Sequence, residues 1–184
     1  MDVLAIGHPA PNFTAKAYYQ GKIDHEITLS NYRGKWVLLF FYPLDFTFVC
    51  PTELIELGKI QKDFEETNCE ILGISTDSVY SHKAWADSDE RIGNLHYPII
   101  ADFTKSISYD YGILHDDGMA FRGAFLIDPE GILRSMTVND LPVGRNPHEI
   151  LRTLKAFQTG DLCPVSWEEG EETLGKEESN LQSK

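Results

Sequence analysis

Apolar positions in this chain alternate, run unbroken or recur every three to four residues, and each spacing predicts an element. EITLS, at 26–30, alternates like a short strand, and NYRGK makes a turn before WVLLFFY, 36–42, an unbroken apolar run that predicts a strand buried on both faces. From Pro51 onward, Leu54, Leu57, Ile60 or Gln61, and Phe64 recur near helical spacing, so one helix face can pack on that strand. EILGIST, 70–76, reads as another buried strand, followed by a short helix around YSHKAWAD. PIIAD, 98–102, precedes a polar helical turn, TKSISYDYG; GAFLID and ILRSMTVND then flank Pro129, Glu130 and Gly131, a turn signal that predicts an antiparallel hairpin. A last amphipathic helix runs through HEILRTLKAF, with Ile150, Leu151, Leu154 and Phe157 on one side.

Strands alternating with helices and ending in a hairpin and a final helix imply an α/β fold, with a mixed central sheet covered by helices on both faces. At 184 residues with 42% hydrophobic composition, the chain suits one full-sized domain better than two. After Gly160 the character changes to a glutamate-rich stretch with few large apolar groups. The expected organisation is therefore a domain over residues 1–160 and an arm over 161–184 that docks locally or stays mobile.

The formal net charge of −13 repels phosphate backbones and anionic lipid surfaces, which argues against a nucleic-acid or membrane partner. No basic region followed by an apolar run opens the chain, and nowhere do about 18 apolar residues follow one another. A cytoplasmic protein is expected. Three cysteines, Cys50, Cys69 and Cys163, are too few and scattered for the disulfide framework of a small secreted domain. Six histidines show no zinc-like spacing, so neither a metal nor a cofactor is expected.

Cys50 is the position that points to chemistry. Proline is favoured at the first helical position, so Pro51 places Cys50 at or next to the helix start, where unpaired N–H groups and the positive end of the dipole converge. A thiolate, the nucleophilic form of cysteine, is favoured in such a place, more so beside an arginine. Thr47 can turn its hydroxyl toward the same spot, and Pro43 can fold over it. An isolated cysteine is commonly just a small buried hydrophobe. Here, however, Cys, Pro and an acidic first turn follow a buried strand, the place where thioredoxin-like folds put their active cysteines. Their second cysteine would fall at Glu53, so a dithiol exchanger is disfavoured.

FYPLDFTFVCPTEL, 41–54, resembles the signature of the typical two-cysteine peroxiredoxins, a group that includes the alkyl hydroperoxide reductase C subunit; Pro43, Thr47 and Cys50 fall on its P-x-x-x-T-x-x-C motif. GHPAPNF (7–13), STDSVYSHKAW (75–85), FRGAFLIDPEG (121–131), TVNDLPVGR (137–145) and LCPVSW (162–167) also resemble family segments, in the family's order. The resemblance implies a thioredoxin-like fold with an extended C-terminal arm. It further implies a thiol peroxidase acting on hydrogen peroxide and organic hydroperoxides, in a homodimer that can assemble to a decamer.

By that resemblance Cys50 is the peroxidatic cysteine, Arg122 the guanidinium that stabilises the departing oxygen, Thr47 the residue that orients the peroxide, and Pro43 the shield of the sulfenate. Glu53 and Arg145 match positions that hold the arginines in place. Cys163 matches the resolving cysteine, which in the family comes from the partner subunit and forms a disulfide with Cys50, later reduced by thioredoxin or a flavoprotein disulfide reductase. A disulfide needs Cα atoms within about 7 Å, so the first turn of the Cys50 helix must unwind and the tail must yield. Cys69 lies on no family motif and reads as buried packing, with disulfide formation by it as the lesser alternative; Trp85 and Trp167 read as core or interface aromatics, and Phe46 and Ser81 lie near positions where family dimers meet.

Three departures stand out. The link TGDL before Cys163 is shorter than in animal members, ERIGNLHYP replaces the GGLG segment of oxidation-sensitive members, and ESNLQSK replaces their Tyr-Phe motif. An enzyme robust toward overoxidation is expected. The rival readings are a holdase chaperone or scaffold, a thioredoxin-like exchanger and, remotely, a papain-type hydrolase, for which Cys50 lacks a histidine in a recognisable partner motif.

Overall fold

In the computed structural model, which describes residues 4–176, the first regular structure is a hairpin. Its strands β1 (Thr14–Tyr19) and β2 (Lys22–Thr28) run antiparallel around Gln20 and Gly21, whose φ of 48° and 81° supply the left-handed backbone of a tight turn. Neither strand matches expectation closely. The short strand anticipated at 26–30 begins at Lys22, stops at Thr28 and gives way to a 3₁₀ turn over Leu29–Tyr32. β1 was not anticipated, because TAKAYY offers alanines where a strand signal needs branched or aromatic side chains.

The rest of the sheet follows the hydrophobic pattern more faithfully. β3 (Trp36–Phe41) is buried from Val37 onward, as a strand covered on both faces must be. The chain continues through α1 (Cys50–Lys59), α2 (Gln61–Glu66), β4 (Cys69–Ser75), α3 (Val79–Ser88) and α4 (Glu90–Gly93). Then come β5 (Ile99–Ala101), α5 (Ser106–Asp110), β6 (Arg122–Ile127), β7 (Leu133–Asn139) and α6 (Pro147–Gln158). The single helix expected after Pro51 is broken at Ile60, whose φ of −105° and ψ of 13° leave helical space. Both halves nonetheless keep one apolar face, with Leu54, Leu57 and Phe64 fully buried.

The sheet has the order β2-β1-β5-β4-β3-β6-β7. β3, β4 and β5 are parallel neighbours, and the remaining pairs are antiparallel. Helix α2 packs on β4, and α3 on β1 and β5. One core cluster unites Val37, Leu39 and Phe41 with Leu72, Ile74, Ile100, Tyr111 and Phe125. The β6–β7 hairpin forms where Pro-Glu-Gly predicts it. Asp128 accepts the amides of Glu130 and Ile132 at 3.0 and 2.8 Å, and Gly131 takes a φ of 80° with a guanidinium from Arg33 in the space a Cβ would need.

The chain divides into two compact units, Met1–Arg145 and Asn146–Lys184. The second unit contains α6 and the chain after it. Ile150, Leu151 and Leu154 are buried as expected, whereas Phe157 is 43% exposed. Over its described residues the tail is held locally. Leu162 donates its amide to the Gly175 carbonyl at 2.9 Å, Leu174 to that of Leu162 at 2.8 Å, and the Arg152 guanidinium to that of Trp167 at 2.7 Å. The terminal ESNLQSK lies outside the described residues.

Candidate active site

Local chain preferences put Cys50 where it is. β3 ends at Phe41, eight residues cross the end of the sheet, and α1 begins on Cys50, with Pro51 second, one position later than the sequence suggests. A proline costs nothing there, since first-turn amides have no intrahelical acceptor. Val49, at the cap, offers no side-chain acceptor, so the unpaired amides and the positive end of the α1 dipole remain at the sulfur's end of the helix. Cys50 itself is fully buried.

The connecting loop is anchored by a polar network that sequence reasoning missed. The Tyr42 hydroxyl donates to Asp45 Oδ1 at 2.7 Å, the Ser81 hydroxyl donates to Oδ2 at 2.8 Å, and His82 Nδ1 lies 2.8 Å from the same oxygen. The Asp45 amide donates to Asp77 Oδ2 at 2.9 Å, and His82 Nε2 faces the Ile100 carbonyl at 3.2 Å. Burial, helped by the Asp45 charge, pushes the Tyr42 hydroxyl well above its ordinary value, and the same two causes push the Asp77 carboxyl up. Asp45 sits inside the motif and Ser81 and His82 inside STDSVYSHKAW, but only folding joins the two segments.

Within this loop Pro43 is buried, and the Thr47 hydroxyl donates to the Leu44 carbonyl at 3.0 Å, leaving its oxygen lone pairs for an incoming donor. Phe46 adopts a left-handed φ of 59°, uncommon for a non-glycine residue, with its ring 6.0 Å from that of Trp85. Trp85 is buried between Phe46 and Tyr42; Trp167 is buried too, its indole donating to the Glu171 carbonyl at 3.1 Å.

The strand register delivers the arginine. Phe40 of β3 pairs antiparallel with Ala124 of β6, so the start of β6 meets the end of β3 from which α1 departs. Arg122, buried, donates through Nη1 to Cys50 Sγ at 3.4 Å and to Glu53 Oε2 at 2.8 Å, and through Nε to the Leu141 carbonyl at 2.7 Å. Glu53 is shared. Arg145 donates to it from the backbone at 2.7 Å, from Nε at 2.9 Å and from Nη2 at 3.0 Å, while its Nη1 reaches the Gly123 carbonyl at 2.5 Å. The Arg145 guanidinium carbon lies 3.5 Å above the Phe40 ring, a desolvated cation–π contact. The loop at Gly144 lies against the start of α1, where a Cβ would sit 3.4 Å from Glu53 Cγ and Val49 Cγ1, in ordinary van der Waals contact.

Burial alone would push the Glu53 carboxyl up, but hydrogen bonds and charge from Arg145, joined by the Arg122 charge, hold it below the usual carboxylate range. Burial draws the Arg145 guanidinium down against the pull of Glu53. Two buried cations thus share one carboxylate, and a thiolate at Cys50 is the charge that makes Cys50, Glu53, Arg122 and Arg145 neutral as a group.

The other cysteines differ. Cys69 opens β4 in the core, where burial, with the Glu70 charge, pushes its thiol far up. Cys163 belongs to the second unit, half-buried beyond α6. All three are free thiols. Among the described residues no group of three or more His, Cys, Asp or Glu is arranged to hold a metal, and no helix is long and apolar enough to cross a membrane.

Over most of its length this chain is similar to proteins of one family. The AhpC/TSA family model matches residues 6–136. Peroxiredoxin-2 of Rattus norvegicus is 51% identical over 177 residues, covering 92% of this chain and 89% of that protein. The thioredoxin peroxidase of Trypanosoma brucei rhodesiense is 48% identical with the same coverage. Among solved structures, the reduced 2-Cys peroxiredoxin of Plasmodium vivax superposes with a TM-score of 0.88 at 43% identity, covering 92% of each chain. Enterococcus faecalis AhpC gives 0.83 at 39% identity, covering 89% of this chain and all of that one. The seven-stranded sheet with its helices is accordingly a thioredoxin-like fold.

Proposed function

Because this chain belongs to the AhpC/TSA family, whose peroxiredoxins and thioredoxin peroxidases are thiol-dependent peroxide reductases, we propose that Cys50 is the thiol that meets the peroxide. The observation that carries this reading is the Arg122 guanidinium donating to Cys50 Sγ at 3.4 Å at the start of a helix. The sulfur attacks the terminal oxygen of hydrogen peroxide or an organic hydroperoxide; the O–O bond breaks, Cys50 becomes a sulfenic acid, and the departing oxygen takes up a proton to leave as water or an alcohol. Arg122 stabilises the charge that develops on that oxygen, Thr47 accepts the peroxide's O–H and so aligns it, and Pro43 limits access of a second oxidant. Glu53 and Arg145 fix the direction of the Arg122 fork.

In the same reading Cys163 of a partner subunit condenses with the Cys50 sulfenic acid, releasing water, and thioredoxin or a flavoprotein reductase reduces the resulting disulfide. Residues 1–160 form the peroxidase domain and 161–184 the arm that brings Cys163. Dimers assemble to a decamer in the cytoplasm, and resistance to overoxidation follows from ERIGNLHYP, which replaces a segment that restrains unwinding in sensitive relatives.

Peroxide consumption, with thioredoxin and its reductase as electron source, tests the scheme. Cys50→Ser is expected to be inactive, and Cys163→Ser to consume one equivalent and stall. Sustained turnover by either variant removes that residue from the reaction.

A further inference from the structure

Cys163 follows the last residue of α6, Gln158, by five positions, close enough to fold back on the carbonyl end of its own helix. Its sulfur lies 3.5 Å from the Ala156 carbonyl, 3.4 Å from Thr159 Oγ1 and 3.9 Å from the Asp161 carbonyl. Thr159 decides the polarity of this arrangement. Its hydroxyl donates its single proton to the Ala156 carbonyl at 2.8 Å and accepts the Asp161 amide at 3.1 Å, so it can meet the sulfur only as an acceptor. Among the described residues the hydrogen-bond partners of Cys163 are then all oxygen lone pairs at the negative end of the α6 dipole, a setting that suits a thiol S–H and not a thiolate.

Counter-charge near the sulfur is already engaged. The charge of Arg152 reaches Cys163, but its guanidinium is bound to Glu149 at 2.7 and 2.8 Å and to the Trp167 carbonyl at 2.7 Å. The surrounding chain is clipped in place by Thr173, whose hydroxyl donates to Asp161 Oδ2 at 2.9 Å, and by the backbone bonds between Leu162 and Leu174–Gly175.

We propose that Thr159 is a positioning residue for the resolving step: it seats Cys163 by hydrogen bonding on the end of α6, so that resolution waits on release from this seat. The inference rests on Cys163 being the resolving thiol. In that step the Cys163 sulfur attacks the sulfur of the Cys50 sulfenic acid, an S–S bond forms as the S–O bond breaks, and the hydroxyl leaves with the thiol proton as water. A thiol whose one proton is held among these oxygens, Thr159 Oγ1 included, is a poor nucleophile until the seat opens.

The test is alkylation of Cys163 by iodoacetamide in the full-length Cys50→Ser protein, followed by mass spectrometry, with buried Cys69 as the internal control. Thr159→Val is expected to raise the Cys163 rate by about fivefold, the scale of one lost hydrogen bond, and Thr159→Ser to restore it. Hydrogen exchange at the Leu162 and Leu174 amides is expected to stay protected in both variants. An unchanged alkylation rate, failure of Ser to rescue, or acceleration accompanied by loss of that protection overturns the proposal. Should valine not be accommodated at the helix end, Thr159→Ala is read in the same way. In protein retaining Cys50, a single pulse of hydrogen peroxide with rapid acid quench is expected to show faster disulfide formation with Thr159→Val. If alkylation accelerates while Cys163→Ser still turns over repeatedly, the resolving role fails and the parked thiol stands.

Discussion

Cys50 begins a helix, whereas Cys163 rests against the end of one, and the two sulfurs face opposite kinds of atoms. At the start of α1 the sulfur is buried, with a guanidinium donating to it at 3.4 Å, at the helix end where first-turn amides lack intrahelical acceptors. At the end of α6 it is half-exposed among acceptors, two carbonyls and a hydroxyl whose proton is used elsewhere. Cys69 supplies a third case, a core sulfur whose burial holds it as a thiol. In the proposed reading the same side chain is thus prepared for attack, for waiting or for packing by what surrounds it, and solvent exposure alone would rank the three wrongly.

The contrast is broken most completely by Cys50→Ser, which replaces the sulfur proposed to react by a hydroxyl that stays protonated. Stopped-flow measurement of peroxide consumption is expected to fall by at least about 10⁴-fold, the scale of deleting a nucleophile. Retained rapid consumption would mean that another group reacts.

Arg122→Lys keeps a positive charge but loses the planar fork that reaches sulfur, carboxylate and the Leu141 carbonyl together. The second-order rate with peroxide is expected to drop by about 10²–10³-fold, as when a preorganised donor is removed. A lysine variant as fast as the parent would reduce the role of Arg122 to charge alone.

Glu53→Gln leaves two buried guanidinium groups without their shared anion, and urea unfolding is expected to show a loss of about 3–5 kcal/mol. The sign of the pH effect follows from the lowered Glu53 value. An acid whose folded value lies below its unfolded value of about 4.3 stabilises fully above that pH and loses the contribution as pH falls through the folded value. The acid limb of the parent's stability curve should therefore be steeper than that of Glu53→Gln. Parallel limbs would show that the carboxylate is not paired in solution.

The smallest change sharpens the comparison from the third sulfur. Cys69→Ala is expected to cost about 1 kcal/mol of stability in urea, the ordinary scale of a core substitution. Peroxide turnover should stay within about twofold of the parent, as befits a sulfur that only packs. A large loss of turnover would bring Cys69 into the chemistry.

Much of the fold is legible along the chain, and the gaps have physical causes. β3 announces itself because a strand covered on both faces must be apolar throughout, and α1 because a helix packed on one side repeats its apolar residues every three to four positions. β1 is silent, since pairing with β2 and β5 stabilises a segment whose own propensity is weak. The break at Ile60 leaves the apolar spacing almost intact and is therefore invisible to it. Phe157 falls on the apolar side of α6 by spacing yet is exposed, because periodicity gives the side of a helix on which a residue lies and not how far burial extends along it.

Cys50 and its motif are likewise local. Proline beside cysteine, an acidic first turn and an apolar strand before them are adjacent in sequence because helix starts are built from adjacent residues. The sequence alone thus determined where a reactive thiol could be made. Tertiary structure alone decided the rest: that Arg122 donates to it across 72 positions, that Glu53 serves two arginines, and that Asp45 is gripped by Ser81 and His82. Hydrogen bonds and buried charges act over a few ångströms of space, and only strand register and loop closure bring such distant positions that close.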